Sequence, residues 1–101
     1  MRRISVAVIA MCFSIMAPSV GFAGATERAC LASNRSPGPQ VCRCAQTLAD
    51  QILSTRDQRE AARIIADPDR FRTVRKRQTA ASKAFIERYR NWGELTQEYC
   101  G

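Results

Sequence analysis

The sequence predicts an all-α fold: a small disulfide-stapled bundle of three to four helices behind a cleaved signal peptide. Three observations carry this. Apolar residues recur at spacings of three and four along most of the chain. No stretch alternates with period two for long enough to make a strand. Of the 5 cysteines, all but Cys12 lie beyond an apolar N-terminal segment.

Residues 1–23 have the form of a secretory signal peptide. Arg2 and Arg3 give a charged start. Ile4 to Ala17 is an apolar run too short to span a bilayer, and Gly21-Phe22-Ala23 offers small residues for cleavage. The residues around Arg2-Arg3 do not continue a twin-arginine motif. Cys12 follows Met11, where lipoprotein processing would need a small residue. Cleavage after Ala23 leaves a single helical four-cysteine domain over residues 24–101. With Arg2 and Arg3 removed, 16 basic residues become 14 against 9 acidic, a net charge of +5. No later apolar run is long enough to cross a membrane, so no transmembrane segment is expected in the mature chain. The expected location is periplasmic or secreted. A core this small supplies about 3–5 kcal/mol, so covalent staples are expected.

The first helix is expected to start at a Thr26 cap and run to about Ser33. Asn34-Arg35-Ser36 reads as a turn, and Ser36-Pro37-Gly38-Pro39 ends any helix. A second helix fits Gln40 to Leu53. Val41, Ala45, Leu48, Ala49 and Ile52 fall on one side, with Arg43, Gln46, Thr47 and Asp50 on the other. Thr55 and Gln58 have capping-box spacing and open a third helix, to about Ala66, that buries Ala61, Ala62 and Ile65. Asp67-Pro68 is the next start signal. The fourth helix is expected to be the longest, Pro68 to Trp92, with Phe71, Val74, Gln78, Ala81, Phe85, Tyr89 and Trp92 along its apolar stripe. Gln78 is the polar residue within that stripe, read as setting packing register. Gly93 is expected to end the helix.

Cys30, Cys42, Cys44 and Cys100 are expected to be disulfide-bonded, since an even set in a short exported chain forms a framework. Residues two apart on a helix point about 200° apart, so Cys42 and Cys44 cannot bond each other. One ties back to Cys30 and the other to Cys100, and spacing leaves both orders open. Trp92 and Tyr99 are expected to pack around the cross-link near the C-terminus. The alternative for Cys42-Arg43-Cys44 is a thiol-redox or metal-handling site. The chain has no histidine, and its 3 methionines (Met1, Met11 and Met16) all precede residue 24. No metal and no cofactor are therefore expected.

The same lack of histidine removes Ser-His-Asp and Cys-His catalysis, and there is no glycine-rich phosphate loop. Carboxylates sit where helix starts place them, so no catalytic residues are assigned and no enzyme is expected. Arg72, Lys76, Lys83 and Arg90 share one side of the expected fourth helix. The plain reading of such a run is a solvated face; the sharper one is an anion-recognition face. Export points away from nucleic acid and toward an acidic component of the bacterial envelope or an acidic protein partner. The expected role is that of a small exported, non-catalytic binding protein.

Overall fold

The computed structural model describes residues 24–101, so the expected signal peptide over residues 1–23 lies outside the described residues. The described residues form five helices and no strand: α1 (Ala25–Ala32), α2 (Pro39–Ile52), α3 (Thr55–Ala66), α4 (Asp69–Lys76) and α5 (Ala80–Cys100). The all-α class and the staples hold. The helix count is one above the expected range, because the long fourth helix is two.

The break falls at Arg77-Gln78-Thr79. Gln78 has φ 48°, the left-handed region, so it terminates the α4 path and is not a residue within a helical stripe. Packing requires this. Phe71 and Tyr89 have ring centroids 5.8 Å apart. On one straight helix, 18 residues apart, they would be separated by roughly 27 Å. Folding α4 back against α5 lets Phe71, Val74, Phe85 and Ile86 gather around Ile64 of α3. Thr79 restarts the chain with a reciprocal cap: its hydroxyl accepts from the Ser82 N–H at 3.0 Å, and the Ser82 hydroxyl accepts from the Thr79 N–H at 3.1 Å. Gly93 does not end the helix; α5 continues to Cys100.

The earlier starts also differ in detail. Gly24, not Thr26, is the N-cap of α1. Gly38, at φ 104°, turns the chain into Pro39 at the first position of α2, a conformation glycine adopts without strain. Ser54 rather than Thr55 caps α3, its hydroxyl accepting from the Asp57 N–H at 3.1 Å. Pro68 rather than Asp67 is the N-cap of α4 and brings no side-chain cap; Asp67, one residue earlier, accepts from the Asp69 N–H at 3.2 Å.

Two apolar clusters form the core. Ala45, Ala49 and Leu53 of the α2 end pack with Ala61 of α3 and Trp92 of α5. The second cluster is the one around Ile64. Tyr89 touches both, and its burial pushes the phenol above its ordinary value of 10.0. Small residues on α2 leave room for the indole, whose Nε1–H donates to the Ala45 carbonyl at 2.9 Å. Trp92 thus lies beside the Cys44 cross-link, whereas Tyr99 is 68% exposed.

Cys30 bonds Cys42, and Cys44 bonds Cys100. Of the two connectivities spacing left open, Cys30–Cys42 with Cys44–Cys100 is the one present. It joins α1 to the start of α2 and α2 to the end of α5.

Candidate functional site

Two polar constellations stand out, and they do opposite things. The first is internal. Gln46, expected on the polar side of α2, is buried. Its carbonyl oxygen accepts from the Thr26 hydroxyl and, at 2.9 Å, from the Glu27 N–H. Its amide donates to Asp50 and to Gln58, each at 2.8 Å. Gln58 in turn donates to Asp50 at 3.1 Å and to the Leu53 carbonyl at 3.3 Å. Both sides of the Gln46 amide are used, so the network locks the first turn of α1 onto α2 and α3. It leaves the Gln46 amide with no free donor to offer a ligand.

The second faces outward. A groove of about 720 Å³ opens between α3, α4 and α5. Arginines 56, 59 and 63 follow one another at intervals of three and four on α3, so they line one face. Arg70 and Arg77 come from α4 and its end, and Arg88 from α5. Two carboxylates share the groove. Asp57, 8% exposed, takes both arms of Arg88, at 2.6 and 3.1 Å. That bond holds the Arg88 guanidinium above its ordinary value. Glu60 accepts from Arg70 at 3.2 and 3.0 Å and from Arg63 at 3.4 Å. Among the described residues, Arg56, Arg59 and Arg77 form no ion pair and are exposed. Six arginines against two carboxylates leave the groove four positive charges in excess.

The four residues expected to form an anion-recognition face are placed differently. Arg72 and Lys76 are on α4 and Lys83 and Arg90 on α5, all exposed, and the break at Gln78 removes the single helix that was to align them. None lines the groove. Arg90 is occupied in part by packing: its guanidinium lies 5.8 Å from the centre of the Phe71 ring. The groove arginines of α3 were not singled out in the sequence. Their signal was present, since Arg56, Arg59 and Arg63 repeat at helical spacing. It was masked by the denser basic run of the longest apparent helix, residues 68–92.

Cys42 and Cys44 point to different partners, and both are in disulfides. Among the described residues no helix is long and apolar enough to cross a membrane. Neither protein-family models, curated proteins nor solved structures give a match to this chain.

Proposed function

We propose that this protein is an exported, non-catalytic binding module of the bacterial envelope that recognises an acidic partner through the arginine groove of α3, α4 and α5. The observation that carries the reading is the groove itself. Among the described residues, three of its arginines form no ion pair, while the others are aimed by Asp57 and Glu60. Guanidinium groups held in one orientation suit carboxylate and phosphate oxygens. The two groove carboxylates are committed to arginines, and the chain has no histidine, so the same surface is poorly equipped for acid–base chemistry. Export is supported by the pattern of residues 1–23 and by the two disulfides.

The test is retention of the oxidised protein on acidic envelope extract, followed by salt elution. Exposed charges are screened within about 8 Å at physiological ionic strength, so retention should weaken steeply with salt. Replacing Arg56, Arg59 and Arg77 together with glutamine should abolish it. Replacing Arg72, Lys76 and Lys83 should leave most of it. Equal retention of both triple variants would overturn the reading.

A further inference from the structure

The reading above leaves open what chemistry the acidic partner presents, and the inference here rests on that reading. We infer that the α3–α4–α5 groove is a site for a compact, multiply charged phosphate group, held by Arg56, Arg59 and Arg77. Three features point there.

The first is charge density. Four uncompensated positive charges share about 720 Å³. A carboxylate polymer brings one charge per sugar or residue, each with several carbon atoms attached. It spreads four charges over a longer stretch of chain than a phosphate group does. A di- or triphosphate, or two adjacent phosphomonoesters, places three or four charges within a few bonds. The second is the lining. Val74 and Phe85 are the large apolar residues at the groove, and both are buried. An acidic amphipathic helix would need apolar anchors on the surface, and none is offered. No exposed ring lines the groove either, so a nucleobase finds no stacking platform. The third is how the other arginines are held. Asp57 engages the Nε and one terminal nitrogen of Arg88, and Glu60 engages the same pair of positions on Arg70. Their side chains are fixed at the wall, while Arg56, Arg59 and Arg77 keep whole forks for an incoming oxyanion. Phosphate accepts such forks in pairs.

Calorimetric titration of the oxidised mature chain, residues 24–101, with pyrophosphate tests this, with citrate as the carboxylate of similar charge. Pyrophosphate should bind about tenfold or more tightly than citrate. Each of Arg56→Gln, Arg59→Gln and Arg77→Gln should weaken it by about tenfold, the scale of one charge-assisted contact. Arg72→Gln and Lys83→Gln should change it less than about twofold, the scale of screened exposed charges. All five sites are exposed, and unchanged helical circular dichroism confirms that the variants fold.

A second arm asks where the phosphate comes from. Vesicles of phosphatidic acid, whose headgroup is a phosphomonoester, in phosphatidylcholine are offered with and without pyrophosphate. Vesicle binding that pyrophosphate competes away assigns the groove to a lipid headgroup. Pyrophosphate binding without vesicle binding assigns it to a free phosphorylated molecule. Three results overturn the inference: citrate equal to pyrophosphate, groove variants that bind like the parent, or vesicle binding indifferent to both pyrophosphate and the groove. If those results came with retention on acidic envelope extract still lost in the groove triple variant, the binding-module reading would survive and the phosphate assignment would not.

Discussion

The two ends of this domain use polar residues in opposite ways. Where α1 meets α2, polar groups are turned inward. Thr26 is 1% exposed and Gln46 7%, and the Gln46 network satisfies them without water. A disulfide closes the same region. Among the described residues there is no cross-link within the groove between α3, α4 and α5, and Arg56, Arg59 and Arg77 form no ion pair there. An internal network and a covalent bond make a rigid base. Unpaired cations, which repel one another, cost stability, and such a base offsets that cost. The contrast separates the part that holds the fold from the part free to meet a partner.

The strongest way to break this comparison is to remove the staples one at a time. Cys44–Cys100 spans 56 residues of sequence and Cys30–Cys42 spans 12. In the chain-entropy model their losses cost about 4 and about 3 kcal/mol. Cys44→Ser with Cys100→Ser should therefore lower the urea midpoint more than Cys30→Ser with Cys42→Ser. The first pair should also loosen α5, seen as faster amide exchange from Trp92 to Cys100. The reverse order would mean that the α1 staple carries the domain. A free-thiol count on the oxidised protein should find none among these four cysteines.

Next in size is a pair of substitutions that weighs the two ends directly. Gln46→Ala strands the buried Thr26 hydroxyl and the Glu27 N–H, a loss of about 1–3 kcal/mol. Arg88→Ala removes the partner of Asp57, but Asp57 lies in the first turn of α3, where the helix dipole favours a carboxylate, and the Arg88 side chain is 45% exposed. Water can take part of its place, so about 1 kcal/mol is expected. Urea unfolding of the two variants settles the order. A larger cost at Arg88 would make the groove's ion pairs structural and blur the division of labour.

What the residues revealed and what they hid follows the same line. The α2 and α3 boundaries were readable to within a residue, because proline, alanine-rich packing and a hydroxyl cap each act locally. The bonded pairs were narrowed to two because the 100° step of a helix is local as well. Gln46 was not readable. On a wheel it shares a side with Thr47 and Asp50, and only the arrival of α1, which puts Thr26 against it, makes that position interior. The groove was hidden for a related reason. Its six arginines come from three helices, and their convergence depends on the turn at Gln78.

That turn carries the smallest expected effect and the sharpest sign. Nothing at Arg77-Gln78-Thr79 announces a break: there is no glycine or proline, and Ser82 stands where a capping box usually has glutamate or glutamine. Gln78 at φ 48° holds a conformation that costs an L-residue roughly 1–2 kcal/mol. Glycine adopts it freely, at the expense of about 0.5–1 kcal/mol in unfolded-chain entropy. Gln78→Gly should therefore raise stability by about 0.5–1 kcal/mol, and Gln78→Ala, which relieves nothing, should be near neutral. In a continuous helix the same glycine would lower stability by about 1 kcal/mol. Thermal unfolding of the glycine and alanine variants thus returns opposite signs for the two geometries. A destabilised glycine variant would rejoin α4 to α5, carry Phe71 away from Tyr89, and dissolve the groove with it.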